Sequence, residues 1–479
     1  MIVRCALLLV VLWQLVGCAV NPATGRTDFV MMSERQEIEL GQRYSQEILK
    51  QYPRYPDEKL QAYVQQVGER VARHGHRSQL QYRFTVIDSP DINAFAVPGG
   101  HIYIHRGLMA YLGSEAELAA VLGHEVGHVT ARHSVRQQSQ STAWNILGQA
   151  VAVGTGVGAA GDLTNVLGGA FVSGYGRDME LEADGLGAQY LARSGYDPQA
   201  MIEVVKVLKA QEDFARDQAQ AKGQEVPPSG YHGLFDTHPD NDTRLRQVVA
   251  AASPLASGQG EVGRDAYLQQ IEGMPFGDSA DAGVRRGQRF YHGGLDFTLA
   301  FPPGWELINR ADAVIMHAPD QQAFVVMSLE PLAQPATAQE YLGRRAGRQQ
   351  LVQQDSFRQA GLEVATGVVP GAAAKRVAVI MREKQAFLFV AAVKGRASLE
   401  SQDERFLEVI RSFRPLQAQE RELTEPRRLR LVQLKPGQGL EALSGQMSVE
   451  GDPLTRLRLL NGLYPSGQPR PEAWLKMVR

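Results

Sequence analysis

The sequence predicts an α+β chain: a mainly helical first domain with a small edge-strand sheet, a second domain of mixed strands and helices, and a small C-terminal unit. Three patterns point to it. Before residue 253, apolar residues recur at helical spacing behind capping residues, and short alternating runs fall between residues 82 and 105. Beyond residue 285 the balance reverses, with several strand-like runs and two helical stretches. A joint poor in periodic apolar residues, 253–284, reads as a linker between them.

The length of 479 residues allows two or three domains, and a formal net charge of −2 gives no electrostatic case for nucleic acid as a partner. Both cysteines, Cys5 and Cys18, lie at the start, which leaves no disulfide framework. Arg4 followed by the apolar run from Cys5 to Val16 predicts a signal peptide over residues 1–17, too short to span a bilayer. It ends in Leu15-Val16-Gly17-Cys18, which resembles a bacterial lipobox. That resemblance implies cleavage before Cys18, lipidation of Cys18 and, with Ala19 following, a periplasmic protein anchored to the outer membrane. An ordinary secretory signal with an incidental cysteine is the alternative.

The first domain is expected over residues 18–252. Ser33-Glu34-Arg35-Gln36 caps a helix running to about Tyr52, and Asp57 opens another that ends near Gly75. Tyr82 to Ile87 alternates as a strand; Ala94 to Val97 and His101 to His105 are strands joined by a Pro-Gly-Gly turn. An extended peptide could add to such an edge through backbone hydrogen bonds, which makes Asn93, Ala94, Phe95 and Ala96 a candidate substrate-binding strand; an interior hairpin strand is the alternative.

Ser114-Glu115-Ala116-Glu117 has the form of a capping box, and Leu118, Val121, Leu122, Val126 and Val129 give the following helix an apolar stripe. This helix carries Gly123-His124-Glu125-Val126-Gly127-His128, an HExxH sequence. Positions four apart share a helical face, so His124 and His128 can bind one Zn²⁺ per chain in a zincin-type arrangement, with Glu125 as general base. A third protein ligand is required, leaving one position for water. In Arg177-Asp178-Met179-Glu180-Leu181-Glu182-Ala183-Asp184, Glu180 and Asp184 share a face and Glu182 points nearly opposite, so Glu180 is assigned as ligand and Asp184 as the carboxylate that orients a ligand imidazole. His101, His105 and His133 lack ligand spacing and read as structural.

HExxH followed by ExxxD, with Asn93 to Gly100 upstream and Gly107-Leu108 leading into the helix, resembles the HtpX/CAAX-prenyl-protease family of zinc metallopeptidases (gluzincins), in its periplasmic lipoprotein branch. The resemblance covers roughly residues 30 to 250. It implies a zinc endopeptidase with His124, His128 and Glu180 as ligands, acting on unfolded or misassembled envelope proteins. Where the family usually has Ser before the Arg, this chain has Gly176 before Arg177, which removes any hydroxyl contact from that position.

Between Ala143 and Ser173 the chain is apolar and rich in glycine, and polar interruptions favour a mobile cover over the cleft against a membrane span. A helix is expected from Asp197-Pro198 to about Asp217, and another after Asn241. His238, held extended by Pro239, has three readings: a fourth ligand that keeps the enzyme latent, an oxyanion stabiliser, or a surface histidine in a turn.

In the α+β accessory domain, residues 285–416, strands are expected at Phe297 to Phe301, Val314 to Ala318, Phe324 to Leu329, Val377 to Met381 and Phe387 to Val393. Helices are expected at Gln339 to Gln354 and Leu399 to Phe413, and the pattern resembles PsbP-like domains. Residues 428–479 resemble a degenerate LysM repeat, which implies either peptidoglycan binding or a structural cap. The expected function is therefore zinc-dependent proteolysis in envelope quality control. Two rival readings share these motifs: a largely latent, chaperone-like zinc lipoprotein, and a peptidoglycan-associated envelope protein.

Overall fold

The computed structural model describes residues 18–140, 175–221, 241–256, 258–310, 313–332, 334–347, 350–395 and 397–479. The expected signal peptide, the glycine-rich interval 143–173 and His238 lie outside these residues. The chain divides into two compact units, one built from Pro53–Phe276 and Arg428–Arg479 with residues of the N-terminal segment, the other chiefly from Gly277–Arg427.

The first unit opens with a two-stranded hairpin, β1 (Cys18–Val20) and β2 (Thr27–Phe29), followed by helices α1 (Glu34–Gln51) and α2 (Glu58–Ala72). Asp57 caps α2 by accepting from the backbone N–H groups of Lys59 and Leu60. Strands β3 (Arg83–Ile87), β4 (Ala94–Val97) and β5 (His101–His105) form a sheet of order β3-β5-β4, with β3 parallel and β4 antiparallel to β5. The outer edge of β3 is covered: Gln61 bonds both backbone groups of Val86 at 2.9 Å, and Gln65 accepts from the N–H of Phe84 at 2.8 Å. Among the described residues β4 pairs with β5 alone and lies at an edge of the sheet.

The short helix α3 (Arg106–Tyr111) leads into α4 (Glu115–Thr130), which carries the HExxH residues, and α5 (Arg177–Arg193), α6 (Ala200–Ala221) and α7 (Asn241–Ala252) complete the helical layer. No described helix is long and apolar enough to cross a membrane. The unit does not end at residue 252 as the periodicity suggested: α8 (Arg264–Ile271) lies in the expected linker and buries Tyr267, Leu268 and Ile271 in the main core. Eight residues with three core contacts are too short a pattern to stand out from a loop.

The second unit holds a seven-stranded antiparallel sheet, built from Glu306–Asn309, Ala313–His317, Ala323–Pro331, Val352–Gln359, Leu362–Val369, Lys375–Arg382 and Gln385–Val393, and a four-stranded sheet. Both faces of the larger sheet are covered: Ala378 and Ile380 join one core with Phe406 and Ile410, while Val377 and Val379 join another with Ala338 and Leu342. Alternate residues of one strand therefore serve two cores. The helix expected over 339–354 is a correction: it spans only Ala338–Ala346, ends at Gly347 (φ 59°), and gives way to Val352–Gln359. That strand lies at the sheet edge and is mostly exposed, so its polar sequence carries no alternating signal.

Residues 428–479, expected as a separate unit, pack with the first: Leu429, Leu459, Leu460 and Val478 share its main core. The strand Trp474–Val478 buries Lys476, whose ammonium donates to Ala110 O at 2.8 Å and Leu112 O at 2.6 Å, satisfying carbonyls at the end of α3.

Candidate metal centre

Ser114 starts α4 by accepting from the Glu117 N–H, while Glu117 reaches back to the N–H of Gly113 at 2.7 Å, one residue earlier than a regular capping box. The helix is buried almost throughout, so one polar stripe, His124, Glu125 and His128, is held in the interior, exposed by 6%, 1% and 1%. Burial of three such groups is costly unless they are paired or coordinate a metal.

Helix α5 brings the partners because small residues let it approach. A Cβ on Gly127 would sit 3.0 Å from Ala183 O, and one on Gly187 would sit 3.1 Å from the backbone N of His124. At this separation the Glu180 carboxylate lies 3.5 Å from His124 Nε2 and 3.4 Å from His128 Nε2, and the two Nε2 atoms are 2.9 Å apart. Ligands about 2.0–2.2 Å from a tetrahedral zinc are separated by roughly 3.3–3.6 Å, so the donor set has nearly the required spacing. His124, His128 and Glu180 are the group able to hold a metal among the described residues.

Asp184, one turn on from Glu180, lies 2.8 Å from His124 Nδ1 and accepts two hydrogen bonds from Arg244 at 2.8 Å each. Burial pushes the Asp184 carboxyl up, but Arg244 and His124 outweigh it and hold the group at about 2. An ionised Asp184 can only accept, so His124 carries a proton at Nδ1 and turns Nε2 toward Glu180 and His128. Arg244 Nη1 also lies 3.4 Å from Glu180. Among the described residues, Glu125, Glu180 and Asp184 bring three buried carboxylates close to Arg244, an excess of negative charge that favours a bound cation. The residues present thus fit zinc both in donor chemistry and in charge.

Sequence reading missed Arg244, four positions into a helix with no periodic signal of its own; a buried pair of carboxylates one turn apart was the clue that a cation had to come from elsewhere. His133, read as structural, places Nδ1 2.8 Å from His128 Nδ1. Tyr175 stacks on His128, ring centroids 4.0 Å apart. Beside the cluster an apolar cleft is lined by Ala120, Val121, Met201, Val204 and Leu208, with His124, Glu125 and Arg244 at its polar end. Of the other candidates, Ala94 to Ala96 lie on the edge strand β4, Asn93 accepts from His105 N–H just before it, and Cys18 begins β1.

Residues 58–252 match the model described as Peptidase family M48. The chain is 30% identical over 256 residues to the beta-barrel assembly-enhancing protease of Escherichia coli, covering 52% of this chain and 50% of that protein. It is 36% identical over 138 residues to the mitochondrial metalloendopeptidase OMA1 of Arabidopsis thaliana, covering 29% of this chain and 28% of that one. Thus it spans half the length of the first relative and less of the second. Among solved structures, cyanobacterial PsbP from Synechocystis aligns with 28% of this chain and 95% of its own at a TM-score of 0.22 and 11% identity.

Proposed function

We propose, from the match of residues 58–252 to the Peptidase family M48 model, that the chain is a zinc-dependent endopeptidase acting on unfolded or misassembled proteins of the bacterial cell envelope. One observation carries this reading: the buried His124, His128 and Glu180 donors converge at metal-ligand spacing with Glu125 on the same helix. Zinc held there would polarise a scissile carbonyl and acidify a neighbouring water. Glu125 takes a proton from the attacking water and returns it to the leaving amine. Asp184, itself held by Arg244, orients His124 so that Nδ1 meets the carboxylate and Nε2 is turned to the metal site.

An extended substrate strand adds to the edge of β4 through backbone hydrogen bonds. Backbone pairing demands little sequence, which suits substrates defined by being unfolded. The name of the Escherichia coli relative supports substrates in β-barrel assembly. Lipidation at Cys18, motivated by Leu15-Val16-Gly17-Cys18, would place the enzyme in the periplasm at the outer membrane. The burial of Lys476 and Val478 favours the reading of residues 428–479 as a structural cap over peptidoglycan binding.

Glu125→Gln tests the mechanism: the amide keeps the hydrogen-bonding shape but takes no proton, so the purified variant should retain zinc while hydrolysis of an unfolded protein falls about 100-fold or more. Undiminished turnover at equal zinc content refutes it.

A further inference from the structure

The two imidazole ligands are supported differently. His124 has a carboxylate directly behind it. Behind His128 stands another imidazole, that of His133, whose Nδ1 lies 2.8 Å from His128 Nδ1 and whose Nε2 lies 3.2 Å from Glu182 Oε2. His133 is fully buried and reaches this place through an unusual turn: α4 ends, and Arg132 adopts φ 56°, a left-handed conformation uncommon outside glycine. The turn is pinned by the Arg132 side chain, which pairs with the buried Glu37 at 2.9 Å and donates to Met32 O.

We propose that His133 is a positioning residue for the ligand His128, completing a chain in which Glu182 accepts from His133 Nε2–H and His133 Nδ1 accepts from His128 Nδ1–H. That order of donors leaves the His128 Nε2 lone pair facing His124 and Glu180, the only arrangement in which it can bind metal. Glu182 is fixed in turn by the N-terminal hairpin. Arg136 lies 3.0 Å from Glu182 and 3.2 Å from Asp28, and Asn21, buried in the hairpin, donates to Asp28 at 2.8 Å and to Glu182 at 3.3 Å. The segment immediately following Cys18 is therefore wired by contiguous hydrogen bonds to a metal ligand. Glu182, which the sequence placed away from the metal, acts on it through His133 and His128.

The inference rests on the zinc reading of the site, and the experiment separates the two. Zinc affinity of the purified full chain is measured by competition with a chromophoric chelator, alongside circular dichroism to establish folding. The parent should bind one zinc per chain and Glu180→Ala should lose it; a parent that binds none sinks the metal centre itself. Given binding by the parent, His133→Ala should weaken zinc about 10- to 100-fold, the range for removing a group that orients a ligand. His133→Asn, whose side-chain oxygen can replace Nδ1 as acceptor, should recover most of that loss, and Asp28→Ala should fall between it and the parent. His133→Phe fills the same volume without an acceptor and serves if the alanine variant does not fold. A merely structural histidine would lower the melting temperature and leave the affinity of the folded protein alone. Zinc binding by His133→Ala or His133→Phe equal to that of the parent overturns the proposal.

Discussion

Asp184→Asn isolates the electrostatic support of the site. Arg244, 4% exposed, holds Asp184 through two bonds of 2.8 Å, and Asp184 holds His124 at 2.8 Å. The amide oxygen can satisfy one of these donors, but its NH₂ group must then confront another. Breaking a buried charge pair by removing one partner costs about 3–5 kcal/mol, because the remaining charge is buried without compensation. Here Glu180 stays 3.4 Å from Arg244 Nη1 and retains part of the pairing, so the lower end, about 3 kcal/mol, is expected. Arg244→Met alone should also destabilise, since it strands Asp184. In the double variant neither charge of the pair remains, and stability should return to within about 1.5 kcal/mol of the parent, so the coupling should exceed the Arg244→Met cost by about 1.5–3 kcal/mol. Urea unfolding in metal-free buffer measures this cycle without contribution from bound zinc. Zinc affinity should not be rescued: Asp184→Asn, alone or combined with Arg244→Met, weakens it about 10- to 100-fold, because orientation of His124 depends on the carboxylate. Additive single effects, within about 0.5 kcal/mol, would refute the view that Arg244 is there to balance Asp184.

Glu180→Ala should lose both metal and hydrolysis; full zinc occupancy at low free metal would move the third ligand elsewhere. For Lys476, burial lowers the ammonium to about 7 against the opposing pull of Glu117. Between about pH 7 and the ordinary lysine value of about 10.4 the unfolded chain binds the extra proton, so stability should rise with pH across that window. Denaturation midpoints at pH 7, 8 and 9 should show this slope in the parent and a smaller one in Lys476→Met; identical slopes would assign the titration to another group. Mass spectrometry of the mature N-terminus should find a lipidated Cys18, and an unmodified terminus at any other residue would remove the anchor from the proposal.

Much of the metal centre was legible in the sequence because it depends on local geometry. The four-residue spacing of His124 and His128 puts them on one face of any α-helix, and the same spacing pairs Glu180 with Asp184. The apolar stripe of α4 announced a buried helix, and the alternating residues announced strands, while the edge position of β4 was set by the sheet. What escaped was set by long-range packing. The closeness of α4 and α5 comes from Gly127 meeting the backbone of Ala183 and Gly187 that of His124, and a glycine in a helix does not reveal its partner. Arg244 and His133 carry no ligand spacing: the first arrives from α7 to balance charges that only folding brings together, and the second is turned onto His128 by the left-handed Arg132. The polar strand Val352–Gln359 has no intrinsic preference strong enough to read, and its neighbour Leu362–Val369 supplies its register. By itself the sequence determined which side chains could form a zinc site and the helices that carry them, since helical periodicity is a local property. Tertiary structure alone decided which charges and imidazoles stand behind those ligands, and that residues 428–479 join the first unit, because burial and electrostatic balance depend on segments far apart in the chain.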